Sequence, residues 1–220
     1  MSRGETVPSE TPPATSEPTA PATTEPATAP TTEPTTASTE PSYEGNFTQA
    51  DVDFFKELFG GGESGINYYN RLLASDFTAP EDADIRKIFY DQDSDEDHPL
   101  TDAEKEFLGK QEVIALQLDV VRISEEKMNA VLSELLGLTL SEMSGKGLDR
   151  MVYFKDTGCY YHSHRDFGAV GFKILGGNWL EDGLVEVNYR IADLYNATMT
   201  LQKTETGYHV VSNIYNGFAS

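Results

Sequence analysis

The feature that most constrains this chain is an abrupt change in composition near residue 43. Between residues 5 and 40 almost every residue is Thr, Pro, Ala, Ser or Glu, and Val7 is the only large aliphatic side chain. Such a segment cannot bury enough apolar surface to offset the entropy lost on ordering. All of the aromatic residues lie at or after Tyr43. We therefore predict a disordered linker over residues 1–42 and a single globular domain over residues 43–220.

The linker indicates where the protein acts. Its imperfect Thr/Pro/Glu repeats favour an extended, semi-stiff spacer, because proline favours polyproline II and the Glu side chains repel one another. Spacers of this composition are typical of surface proteins, and their hydroxyl groups are candidate O-glycan sites. We expect an extracellular protein that contacts the membrane only through a lipid anchor upstream of Met1. A cytosolic low-complexity tail is the alternative.

Charge narrows the choice of partner. The formal net charge is −21, of which residues 45–220 carry −15. A domain this acidic repels phosphate backbones and anionic headgroups, so we expect no nucleic-acid partner. Cations, cationic peptides and neutral ligands such as glycans are favoured instead. The single cysteine, Cys159, permits neither an intrachain disulfide nor a zinc-binding Cys cluster, and we expect it to be buried and free.

The first half of the domain is predicted to be helical. Capping boxes at Thr48-Gln-Ala-Asp51 and Thr101-Asp-Ala-Glu104 each predict a helix start. Residues 68–73 suggest a short helix, and Pro80 is expected to begin another that includes Ile85, Ile88 and Phe89. The clearest 3.6-residue period follows Ser124 and ends at Gly137.

The second half is predicted to be β-rich. Runs rich in β-branched and aromatic residues, separated by glycine-containing turns, predict consecutive hairpins. The expected fold class is therefore α+β, with an N-terminal helical portion packed on a C-terminal antiparallel β-meander of about six strands. The residues expected to face the helices are Val185, Val187, Tyr189 and Ile191. The six predicted strands are Met151–Lys155, Cys159–His164, Phe172–Leu180, Leu184–Ile191, Thr198–Lys203 and Tyr208–Ile214.

An acidic run offers a candidate calcium site. Asp91, Asp93, Asp95 and Asp97 alternate as calcium-loop ligands do, and helices are predicted on both sides. The run departs from an EF-hand, since it has Glu96 where the loop needs glycine, His98 where it needs an aliphatic residue, and Asp102 where it needs glutamate. A two-residue insertion would bring Glu104 to that last position. A solvated acidic loop is the alternative.

A second candidate site lies on the strand Cys159–His164. His162 and His164 project to the same face of that strand, where Asp166 could join them as ligands for zinc or copper, or in acid/base work. We group Tyr161 with these three residues as the candidate binding site. The alternative is that they form structural hydrogen bonds or lie exposed.

Four aromatic residues are candidates for a sugar-stacking platform, with core packing as the alternative. These residues are Trp179, Tyr189, Tyr195 and Tyr215.

Several stretches together resemble uncharacterised lipoproteins of gut Firmicutes. They are Val121–Met128, Val131–Thr139, Gly147-Leu-Asp149 and Tyr160-Tyr-His-Ser-His164, within a match from about Ile85 to Ser212. The family pattern has Gly-Asp after the second histidine, whereas this chain has Arg165-Asp166. The resemblance implies an extracytoplasmic, lipid-anchored protein of a Gram-positive cell, and it implies no activity.

Two functional hypotheses follow. The first is a surface-tethered interaction module that binds an extracellular glycan, peptide or protein. The alternative is a metal-binding protein, or a metal-dependent enzyme, centred on the His-x-His strand. Calcium and zinc are the ions that the two candidate sites would take.

Overall fold

A computed structural model describes residues 43–60, 66–90, 99–164 and 168–219. The predicted linker and the acidic run Asp91–Asp97 lie outside these residues. Asp166 also lies outside them, and His164 is described only by its backbone.

Five α-helices occupy mainly the first half of the described chain. They are α1 (Gln49–Leu58), α2 (Tyr68–Leu72), α3 (Ile85–Ile88), α4 (Asp102–Leu108) and α5 (Glu125–Leu136). Four short 3₁₀ turns accompany them, at Pro80–Asp82, Leu140–Glu142, Leu148–Arg150 and Glu181–Gly183.

The helix ends follow the predicted local chemistry, with one exception. Both capping boxes are formed, at Thr48 for α1 and at Thr101 for α4, and α5 ends at left-handed Gly137. The predicted helix start at Pro80 is wrong. Pro80 opens only a 3₁₀ turn, because the chain becomes extended at Ala83 and α3 begins after its own N-cap, Asp84.

The described residues contain eight strands, which form two sheets. They are β1 (Glu44–Gly45), β2 (Asp119–Ser124), β3 (Val152–Phe154), β4 (Cys159–His164), β5 (Phe172–Trp179), β6 (Leu184–Ile191), β7 (Tyr195–Lys203) and β8 (Tyr208–Phe218). The larger sheet has the order β1-β5-β6-β7-β8, and the smaller has the order β2-β4-β3. The α+β class is confirmed, with β5–β8 as the antiparallel meander and β1 added in parallel. The other two predicted strands, β3 and β4, belong to the smaller sheet.

The main core lies between the helices and one face of the larger sheet. Helix α5 packs against β8, and α1 packs against β5. Strand β6 alternates between buried and half-buried residues, and its buried face is the predicted one. The largest fully buried side chain on that face is Tyr189. The large apolar residues after Tyr43 therefore form a core, as their density in the sequence predicts.

One buried amide links the sheet to the helical half. The Nδ2 group of Asn213, on β8, donates to the carbonyl oxygens of Leu72 at 3.1 Å and Ser75 at 2.8 Å. Its Oδ1 accepts from the Tyr189 hydroxyl at 2.6 Å. The Asn213 backbone also exchanges two hydrogen bonds with Phe77. This side chain therefore satisfies three polar groups in the interior and fixes the segment after α2 onto the sheet.

Within the described ranges, no helix is both long enough and apolar enough to cross a bilayer.

Replacement of Asn213 should be costly. Asn213→Ala leaves the Ser75 carbonyl group and the Tyr189 hydroxyl without their partner, while the Leu72 carbonyl keeps the hydrogen bond from the Ser75 amide, so we expect a loss of about 2–3 kcal/mol in the free energy of unfolding. Denaturant titration followed by circular dichroism measures this loss. Asn216→Ala is the matched control, since Asn216 is exposed on the same strand and its amide donates to Thr198. Equal effects of the two substitutions would contradict the proposed role of Asn213.

Candidate functional site

His162, the described member of the predicted histidine pair, is buried at the end of α3. Its Nε2 atom lies 3.0 Å from the carbonyl oxygen of Phe89. A carbonyl oxygen only accepts hydrogen bonds, so Nε2 carries the proton and donates. In this arrangement Nε2 is not available as a metal ligand.

Most of the predicted metal ligands lie outside the described residues. These are Asp91, Asp93, Asp95, Asp97 and Asp166, together with the side chain of His164. Among the residues that the structure describes, no group of three or more His, Cys, Asp or Glu side chains could hold a metal ion. The calcium and zinc hypotheses therefore stay predictions.

Tyr161 faces the opposite side of β4 and belongs to a structural network. Its hydroxyl lies 2.5 Å from Glu104 Oε1, and Arg122 Nη1 lies 3.2 Å from the same oxygen. Burial and the neighbouring carboxylate raise the pKa of Tyr161, so its phenol stays protonated and donates. Burial would raise the pKa of Glu104, but hydrogen bonds from Tyr161, Thr101 and Arg122 outweigh it and lower that pKa to about 2. Tyr161 thus ties β4 to α4.

The remaining sequence candidates are dispersed. Cys159 is free but only partly buried, which corrects the expectation of full burial, and its Sγ lies 3.4 Å from the Thr157 carbonyl oxygen. Cys159 is the first residue of β4 and follows directly on the turn at Gly158, so its side chain is partly exposed to solvent. Of the four aromatic candidates, Tyr189 is buried and Trp179 packs on Phe47. Tyr195 and Tyr215 stack on each other, with their ring centroids 6.0 Å apart. The four residues therefore do not form one platform.

A cavity of about 320 Å³ brings together basic residues that sequence reasoning did not single out. We call it the basic pocket. Three of its lining residues are arginines and one is a lysine, and none of the described residues that line it is acidic. The described residues of the lining are Arg71, Ala74, Arg86, Lys87, Tyr90, Arg150 and Val170.

Tyr90 lies beside two of the arginines of this pocket. The guanidinium carbon of Arg86 lies 5.3 Å from the Tyr90 ring centroid, and that of Arg71 lies 6.0 Å from it. At these distances the ring face attracts both cations. Arg86 Nη2 donates to the Ser163 carbonyl oxygen at 3.0 Å. The Tyr90 ring also lies 6.2 Å from the His162 ring. The pocket therefore adjoins the predicted histidine strand.

Asp84 contacts two of the lining residues, Arg150 and Lys87. Its buried carboxylate accepts from Arg150 Nη2 at 2.6 Å and caps α3 through the Lys87 amide at 3.2 Å. Gly147 makes room for it. A Cβ atom at Gly147 would lie 2.3 Å from Asp84 Oδ1 and 2.9 Å from the Arg86 nitrogen, and the φ of +92° there is left-handed. The glycine of the Gly147-Leu-Asp149 motif is thus explained by close packing.

The basic pocket was missed because its residues are far apart in sequence. Arg71 lies on α2, Arg86 and Lys87 on α3, and Arg150 in a 3₁₀ turn. The only local signal was the adjacent pair Arg86-Lys87 in a chain with 16 basic residues and 37 acidic ones. Tertiary folding assembles the other two members.

Comparison with protein-family models, curated proteins and solved structures gave no match.

Because of Glu104, the free energy of unfolding should depend on pH in the acidic range. A carboxylate with a pKa near 2 in the folded state and about 4.3 when unfolded stabilises the fold above pH 4.3, and this contribution is lost as the pH falls toward 2. Glu104→Gln should lower the free energy of unfolding by about 2–3 kcal/mol at pH 7 and remove that part of the pH dependence. Urea titrations across this pH range measure both effects. Glu126→Gln, at an exposed position of α5, is the control; an unchanged pH dependence in Glu104→Gln would contradict the prediction.

Substitution by alanine should destabilise the fold far more at Gly147 than at Gly158, which also has a left-handed backbone conformation. At Gly158 (φ +65°) no atom of the described chain lies within 4 Å of an added Cβ. Gly158→Ala should therefore cost only about 1 kcal/mol of backbone strain. Gly147→Ala adds a clash with Asp84 and the α3 backbone, and should cost roughly 3 kcal/mol or more. Thermal unfolding of the pair measures the difference, and similar losses would show that the close packing at Gly147 is unimportant.

Proposed function

We propose that the protein is a surface-tethered binding module whose basic pocket holds a compact oxyanion, namely a carboxylate, phosphate or sulfate group of a small extracellular ligand. One observation carries the proposal. Four of the 16 basic residues of a chain with net charge −21 line a single cavity, and no acidic residue is among the described residues of its lining.

The convergence of like charges needs a physical reason. Arg150 forms an ion pair with Asp84, whereas Arg86 and Lys87 are neighbours on α3, repel each other and form no ion pair with an acidic residue of the described chain. Bound oxyanions relieve this repulsion, which is why arginine clusters recur where carboxylates and phosphates are recognised. The pocket is therefore suited to a ligand with at least one negative charge.

The donors of the pocket support the same interpretation. Lys87 Nζ has three N–H groups and donates to the Ala74 carbonyl oxygen at 2.6 Å. Arg86 donates through Nη2 to Ser163, while its buried Nε has no hydrogen-bond partner in the described part of the chain. The bonds to Ser163 and Ala74 also orient these two side chains.

Size and charge restrict the ligand further. A cavity of about 320 Å³ is near the lower end for small-molecule sites and accommodates one acidic sugar, organic acid or phosphorylated metabolite. The net charge of the whole chain repels an extended polyanion. We accordingly propose a small anionic ligand, and no nucleic acid.

The proposed location is the outer surface of a Gram-positive cell. The support is the Thr/Pro/Glu composition of residues 1–42 and the resemblance to lipoproteins. An upstream lipid anchor would make the native protein partition into the detergent phase of a Triton X-114 separation. Recovery in the aqueous phase alone would argue against an anchor.

Anion titration of the full chain tests the pocket. We expect inorganic phosphate, sulfate or glucuronate to bind measurably by isothermal titration calorimetry and to raise the melting temperature. Lys87→Gln and Arg86→Gln should each weaken binding about tenfold, because each removes a charge-assisted donor. Added sodium chloride should weaken binding in the unmodified chain.

Lys105→Gln, an exposed substitution on α4, is the matched control for loss of one positive charge. It should leave anion binding unchanged. The proposal fails if none of the three anions binds, or if all three variants bind them equally well.

A further inference from the structure

A second cavity, of about 430 Å³, lies among α1, α2 and α5 and has the opposite character. We call it the aromatic cleft. Its walls include Phe54, Tyr68, Tyr69 and Leu135, and two carboxylate residues, Glu57 and Glu134, also line it. No basic residue is among the described residues of these walls.

We propose that the aromatic cleft binds a small alkylammonium cation. Such an ion has an apolar surface that packs against aromatic and aliphatic walls, and a positive charge that is attracted by ring faces and carboxylates. Sites that recognise substituted ammonium groups combine these same two features. The inference is independent of the proposed anion site, because the two cavities share none of the described residues that line them.

The polar groups of the cleft show which charge it favours. The Tyr69 hydroxyl donates to the Tyr208 carbonyl oxygen at 2.6 Å. Burial, and then the nearby charge of Glu134, raise the pKa of Tyr69 to about 12, so the ring stays neutral. The Asn67 amide is used within the protein, since Nδ2 donates to Leu58 and Oδ1 caps α2. Among the described residues of the lining, the charged ones are therefore Glu57 and Glu134.

The walls are open enough to admit a ligand. Phe54 is 47% exposed, although its ring makes an edge contact with Phe55 at 5.0 Å. Leu135 supplies a buried aliphatic floor from α5, and Glu134 precedes it at an exposed position. A cation that approaches this acidic domain is also attracted by its overall field. Apolar contact and charge complementarity thus favour the same occupant.

Choline and its neutral carbon isostere, dimethylbutanol, form the direct test on the full chain. We expect choline to bind by calorimetry, and the isostere, which has the same shape without the charge, to bind at least about tenfold more weakly. Chemical-shift changes at the amides of Tyr68, Tyr69 and Leu135 would locate the bound cation in the cleft.

Two substitutions separate the contribution of the Glu134 carboxylate to choline binding from that of the Phe54 ring. Glu134→Gln should weaken choline binding about five- to tenfold, and Phe54→Leu, which keeps an apolar side chain but removes the ring, should weaken it several-fold. Glu126→Gln removes one negative charge from the same helix outside the cleft and should have no effect. Phosphate binding should be unchanged in all three variants, which distinguishes this site from the basic pocket.

The proposal is overturned if choline does not bind, if the isostere binds equally well, or if Glu134→Gln and Glu126→Gln behave alike. Equal binding of the isostere would show a purely apolar cleft. Failure of phosphate binding to the basic pocket would leave the outcome of these measurements unaffected.

Discussion

The buried amide of Asn213 is the interaction on which the two halves of the domain depend. The turn after α2 presents main-chain carbonyl groups to an apolar interior. Asn213 bonds to two of these groups, and it accepts from the Tyr189 hydroxyl at the same time. Hydrophobic contacts alone would permit α2 to slide over the sheet, whereas these directional bonds fix one position. Both cavities are lined in part by α2, so their shapes follow from this placement.

Helix α2 has only five residues and is held by side chains rather than by its own length. Asn67 caps its first turn. Asn70 donates to the carbonyl oxygens of Phe59 and Val170 and accepts from the Val170 amide. Tyr68 and Tyr69 thereby reach the aromatic cleft while Arg71 reaches the basic pocket. One short element separates two environments of opposite charge, which explains why the net charge of the chain is a poor guide to its local chemistry.

The sequence predicted features that depend on nearby residues. Thr48 with Asp51 and Thr101 with Glu104 could be recognised because a capping box is completed within four residues. The period of α5 and the hairpin turns were visible for the same reason. Pro80 misled because proline favours the first turn of any helix, whereas the turn that it opens here ends at Ala83 and Asp84 caps a separate helix. The sheet to which β4 belongs, and the meeting of Arg71 with Arg150, depend on contacts between distant segments. Periodicity does not encode such contacts.

The distance along the chain between Asn213 and its partners also has a kinetic meaning. Phe77 pairs with Asn213 across 136 residues, so the helical segment cannot satisfy its interior polar groups until β8 has been synthesised. Contacts of such long range slow folding, because the loop between them must close first. A nascent chain of this kind stays without its final tertiary structure while most of its length is being made. Its folding is therefore completed only once the C-terminal strand is available to the helical segment.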